Sequence, residues 1–236
     1  MPIGFDPLWI LLMLPGMALA AWAQSRIMSA YREGSRYRAS SGVTGAEAAA
    51  TIMQAGGVGN VPIEPVAGEL TDHYDPSHKV LRLSAGNYRH NTLAAVGVAA
   101  HEAGHALQDA HGYPLLVVRN LIVPLAGLGS NLSFTALLAG LFLHWMPLVW
   151  LGIILFSLVV IFQVVNLPVE FDASRRAREQ LQRTRLISPE EDQMVGKVLN
   201  AAAMTYVAGT LTSVLQLLYF VVRALGAGGR RDDDYA

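Results

Sequence analysis

The stretch PLVWLGIILFSLVVIFQVV, residues 147–165, runs for nineteen residues without a charge. About 20 apolar residues carry a helix across a bilayer, and soluble cores rarely offer so long an uncharged run. This run points to an integral membrane protein. Three weaker segments join it. PLWILLMLPGMALAAWAQ covers 7–24, and AAMTYVAGTLTSVLQLLYFVVRAL covers 202–225, where the polar residues need protein neighbours. Within 114–144, Arg119, Asn120 and Pro124 interrupt the pattern, which places the span near 121–143. Composition agrees: 53% of the chain is hydrophobic and 15% charged, against about 25% charged in an ordinary soluble domain. A net charge of −1 gives no basic field for nucleic acid. The chain has no cysteine, which excludes disulfides, cysteine nucleophiles and thiolate metal sites. Any metal must be held by His, Asp or Glu.

The expected fold is a mainly α integral membrane protein with about four transmembrane helices and a small α+β zincin-like region. Residues 1–25 form an N-terminal anchor. The AWA at 21–23 resembles a signal-peptide cleavage site, but MPIGFD lacks Lys and Arg and contains Asp6, so the anchor is expected to be retained. Residues 26–113 form the larger polar region, and 114–165 a transmembrane hairpin with HWM (144–146) at its tip. Residues 166–200 form a second polar stretch, 201–226 a fourth span, and 227–236 a disordered tail. A two-span hairpin returns the chain to the side it left, so both polar stretches face one compartment. Arg26, Arg32, Arg36 and Arg38 follow the first span, and Arg175, Arg176, Arg178, Arg183 and Arg185 follow the third. The hairpin tip has no Lys or Arg. By the positive-inside rule the polar side is cytoplasmic, in a multi-pass protein of the cell (inner) membrane. Arg230 and Arg231 run against this rule if all four segments cross.

Within 26–113 the pattern reads helix, strands, helix. TGAEAAATIMQAGG (44–57) carries a capping-box signature in Thr44 and Glu47 and stops at Gly56-Gly57. VPIEPV reads as extended, and ELTDHYDPSHKVLRLS as a hairpin turning at DPSHK. NTLAAVGVAAHEAGHALQDAHG reads as a helix capped by Asn91 and stopped by Gly112.

That last helix carries the chemistry. His101 and His105 stand four apart, on one face, and can point at one ion. Glu102 is rotated by about 100° from His101, where it can act as general base without ligating. Gly104 suits close approach of another backbone or a substrate. HExxH is short and recurs by chance, and a catalytic zinc typically takes a third protein ligand. His111 lies on another part of the helix surface. Glu170, in NLPVEFDASRRAREQL, has two readings by position: a third ligand returned by the hairpin, or a carboxylate in the first turn of a helix opened by Pro168.

HEAGHALQ together with EFDAS after a transmembrane hairpin resembles the membrane-bound gluzincin metallopeptidases, among them the HtpX-like and CAAX prenyl proteases. The likeness is closest to the YugP-type membrane zinc metallopeptidases, whose pattern joins DHYDP, a KVLRLS-like strand, AAHEAGHA and PVEFDAS. It covers nearly the whole chain. The resemblance implies Zn2+ held by His101, His105 and Glu170, with Glu102 as catalytic base. HtpX-like proteins place an aspartate four residues after the third ligand to support a ligand histidine. Here that position is Ser174 and the nearest acid is Asp172, which leaves three alternatives for the supporting role: Asp172, Ser174 through its hydroxyl, or neither. The hairpin before the HExxH helix would hold an extended peptide, with His73 and Tyr74 as contacts, and Tyr206 is a candidate oxyanion donor. The expected activity is a zinc-dependent endopeptidase acting on membrane or membrane-proximal proteins. The partners are a protein or peptide substrate and the lipid bilayer, with no nucleic acid; the oligomeric state is left open. The rival readings are a catalytically silent zinc-binding scaffold and a zinc hydrolase of a non-peptide amide or lipid.

Overall fold

A chain that leaves water must satisfy its backbone N–H and C=O groups internally, and the helix does so within one segment. The computed structural model describes residues 6–232, with 227–232 described by backbone alone. Four of its helices are long and apolar enough to cross a membrane. They are α1 (Pro7–Gly34), α5 (Pro114–Phe142), α6 (Met146–Arg183) and α7 (Pro189–Asp232). Between the first two lie α2 (Gly45–Ala55), β1 (Ile63–Val66), β2 (His73–Asp75), β3 (Val80–Ser84), α3 (Ala85–Arg89) and α4 (Leu93–Ala110). The mainly helical architecture with a small sheet is as expected.

The chain divides into two units. One comprises the residues up to Trp22, Val118–Leu167 and the chain from Tyr206 onward. In it, α5 and α6 form the expected hairpin, and small residues let their backbones approach. A Cβ on Gly152 would lie 2.9 Å from both Leu137 N and Ser133 O. Leu137, Val149, Ile153 and Ala224 form a small core. Leu128, Phe134, Phe142, Ile154 and Ile161 are exposed, as lipid-facing side chains are. Arg119, the charge that interrupts the second oily segment, donates from Nε to Asn166 Oδ1 at 2.8 Å.

The other unit comprises Ala23–Val117 and Pro168–Thr205. Its sheet has the order β1-β3-β2, with β3 parallel to β1 and antiparallel to β2. β3 is therefore the covered centre and β2 an edge. Helix α2 carries the expected capping box: Thr44 accepts from Glu47 N, and the Glu47 carboxylate accepts from Thr44 N at 2.7 Å. Fourteen of the 18 residues of α4 are buried, so it is a central helix rather than a surface one. Ile52 and Met53 of α2, Leu81 and Leu83 of β3, Leu181 of α6 and Val195 of α7 share its core.

Three expectations change. The N-cap of α4 is Thr92, whose side chain accepts from Ala95 N at 3.3 Å. The Asn91 side chain is turned instead to Gly42 O, at 3.4 Å. Pro168 does not open a helix; it lies inside α6, which runs unbroken to Arg183. One missing N–H does not end a helix anchored by a long apolar run before it and by buried Val169, Ala173 and Ala177 after it. This removes the reading of Glu170 as a helix N-terminal carboxylate. Helix α7 continues through 227–232, which composition assigned to a disordered tail; 233–236 lie outside the described residues.

Gly104 shows how close α4 and α6 come. A Cβ there would stand 2.5 Å from Ala173 O and 3.2 Å from its carbonyl carbon. Backbone cannot move aside as a flexible side chain would. Gly104→Ala should therefore lose stability by about 1–3 kcal/mol, despite the better helix propensity of alanine. Gly59→Ala, where nothing lies within 4 Å of the added carbon, should be near neutral. Thermal unfolding midpoints of the two variants in detergent check this contrast.

Candidate metal centre

Buried α4 presents His101 and His105 one turn apart, with ring centroids 4.7 Å apart and planes at 83°. The glycine contact brings α6 against this face. Three residues past Glu170, Ala173 touches Gly104, and Glu170 itself faces the two imidazoles. Glu170 Oε2 lies 3.3 Å from His101 Nε2 and 3.7 Å from His105 Nε2. Ligands about 2.0–2.2 Å from a tetrahedral zinc ion stand roughly 3.3–3.6 Å from one another. The three residues fit a metal ion at their centre, with their ligand atoms all within 4.8 Å of one another.

A second observation supports the fit. Glu170 Oε2 is buried and has no hydrogen-bond partner among the described residues. An orphaned buried oxygen of this kind costs about 1–3 kcal/mol or more if charged, unless a cation satisfies it. Burial opposes a charge on His105, but the close approach and negative charge of Glu170, reinforced by Glu102 and Gln108, outweigh it and raise its pKa. The cluster is a place that attracts positive charge.

The far sides of both rings are held. His101 Nδ1 is 3.1 Å from Ser174 Oγ, so the residue four after Glu170 reaches the first histidine. His105 Nδ1 is 3.0 Å from Gln108 Oε1. Gln108 Nε2 donates to Val169 O at 2.8 Å and to Asp172 Oδ2 at 2.9 Å. Asp172 in turn accepts from Arg175 and Arg176, and the Arg176 guanidinium lies over the Tyr113 ring at 5.6 Å. Both residues weighed as histidine supports, Asp172 and Ser174, thus reach the cluster, one through Gln108. Sequence reasoning missed Gln108. Its signal was present: it stands three after His105, on the same helical face.

Glu102 is 8% exposed, and its Oε2 accepts the backbone N–H of Tyr74 at 2.9 Å. Edge strand β2 is therefore pinned to the residue next to His101. The Tyr74 side chain is committed elsewhere: its hydroxyl donates to Asp109 Oδ2 at 2.6 Å, and burial followed by this bond raises its pKa. His73 is exposed on β2, with Nδ1 2.9 Å from Thr71 O. His111 caps the end of α4 and reaches Gly56 O at 3.3 Å, apart from the cluster. Tyr206 lies on α7, is 37% exposed and belongs to the membrane unit, whereas the cluster draws on the other unit alone.

Comparison with known proteins points the same way. Residues 9–225 match the family described as "Putative neutral zinc metallopeptidase". The chain is 45% identical over 215 residues to the "Putative membrane protease YugP" of Bacillus subtilis (strain 168), covering 91% of this chain and 96% of that protein. No solved structure matches the chain significantly. With a family match over most of its length and a relative nearly half identical to it, this chain, with four candidate membrane spans among its described residues, belongs to the family of neutral zinc metallopeptidases.

Proposed function

We propose that the chain is a membrane-embedded zinc endopeptidase in which His101, His105 and Glu170 hold the ion and Glu102 is the general base. The observation that carries this reading is the convergence of two imidazole Nε2 atoms on a buried, otherwise unpartnered carboxylate oxygen, with a second carboxylate adjacent in sequence. A zinc ion bound there supplies a Lewis acid for the scissile carbonyl and acidifies the attacking water. Glu102 takes the proton of that water and later delivers it to the leaving amine. Tyr74 N–H holds one oxygen of Glu102 and so leaves the other for proton transfer. Glu102 also argues for turnover over a silent zinc scaffold, because a site that only binds does not need a base.

The substrates are proposed to be membrane or membrane-proximal proteins. Glu170 lies five residues past Val165, the end of the uncharged run, on the same unbroken helix. That is about 7.5 Å of helical rise. Arginine placement supports a cytoplasmic catalytic region.

Glu102→Gln should keep its zinc and lose about 10²–10⁴-fold in cleavage of a reconstituted membrane-protein substrate. Equal cleavage by variant and wild type would remove Glu102 from the chemistry. Zinc content and cleavage by the same preparations separate this result from a loss of metal. Sidedness has its own test, made simple by the absence of cysteine. Single cysteines replacing exposed Ser77 or exposed Trp145 should react differently with a membrane-impermeant maleimide. Cysteine at 145 should label in intact cells, and cysteine at 77 only after permeabilisation. The reverse pattern would place the catalytic region outside.

A further inference from the structure

A histidine ligates zinc through Nε2 only if its proton sits on Nδ1, and something must hold that proton there. The two ligand histidines of this chain are held in different ways. Ser174 offers His101 a hydroxyl, which can donate or accept. Gln108 offers His105 an amide, whose two ends are chemically distinct. Its Nε2 end faces two acceptors, Val169 O at 2.8 Å and Asp172 Oδ2 at 2.9 Å, and so uses both of its hydrogens. The amide can take only one orientation. Its oxygen then faces His105 Nδ1 at 3.0 Å and can only accept. Nδ1 must carry the hydrogen, and Nε2 is left as the electron pair aimed toward Glu170.

We propose that Gln108 is the positioning residue that fixes the tautomer and ring orientation of His105 for metal binding, with Asp172 as the anchor that fixes Gln108. The inference rests on the metal site proposed above. Gln108 is fully buried, so water does not compete for either end of its amide. Asp172 is itself fixed by Arg175 and Arg176 from its own helix. The chain of contacts therefore runs from a charged face of α6, through one carboxylate and one amide, to a ligand atom on α4. Val169 O belongs to the residue just before Glu170, so Gln108 also ties the position of the third ligand to that of the second.

The test uses full-length protein in detergent with 15N-labelled histidine. Zinc affinity is measured by chelator competition, and Nδ1–H resonances are read on the zinc-loaded protein. Gln108→Met keeps the shape of the side chain and removes both ends of the amide. It should weaken zinc binding about 10–100-fold and move one hydrogen-bonded Nδ1–H resonance upfield, leaving that of His101 in place. Asp172→Leu should weaken zinc binding in the same direction, whereas Asp172→Asn, which still offers an oxygen to Gln108 Nε2, should restore it. Wild-type zinc affinity and an unmoved resonance in Gln108→Met would overturn the proposal. Should that variant fail to fold, equal affinities in Asp172→Leu and Asp172→Asn would overturn it instead. Glu170→Ala, measured alongside, separates the two levels. If it loses zinc while Gln108→Met does not, only the positioning role falls; if it keeps zinc, the metal site and the positioning role fall together.

Discussion

A carboxylate oxygen buried without a hydrogen-bond donor is unstable unless a cation sits against it. Glu170 Oε2 is such an atom among the described residues, and much of the unit around α4 keeps it where two imidazole nitrogens meet it. Helix α4 is buried nearly all round, which fixes the two histidines on a rigid support. Gly104 lets α6 approach until a single added carbon would strike its backbone. Ser174 and the Gln108–Asp172 pair then hold the outer nitrogens of the rings. The ligand atoms converge because the packing and the hydrogen bonds around them leave the side chains little other choice.

The sheet is joined to this centre by one hydrogen bond. Strand β2 is an edge, and Tyr74 spends its outward N–H on Glu102 and its hydroxyl on Asp109, both on α4. The strand and the candidate base therefore share a geometry.

Much of this was legible in residue patterns, because the signals were local. The four oily runs, the capping box of Thr44 and Glu47 and the turn at DPSHK each depend on a few neighbouring residues, and each has its counterpart in the structure. The misses have physical reasons. Asn91 and Thr92 are both good caps, and only the tertiary contact of Asn91 with Gly42 decides between them. Pro168 reads as a helix start in isolation, but a helix already anchored on both sides absorbs one missing N–H. Gln108 carried only a positional signal, three residues after His105 on the same face, and its role depends on Asp172 and Val169, which arrive from about sixty residues away in sequence. Asp172 and Ser174 stood as alternatives for one task in the sequence; Ser174 lies against His101, whereas Asp172 meets Gln108 rather than a histidine.

In the proposed site two histidines and one glutamate hold zinc. X-ray absorption at the zinc edge of the purified protein tests it most directly. The expected spectrum shows a four-coordinate shell of nitrogen and oxygen at about 2.0–2.2 Å, with multiple scattering from two imidazoles and no sulfur, and that shell is lost in Glu170→Ala. An unchanged spectrum in Glu170→Ala, or a shell with fewer than two imidazoles, would contradict it.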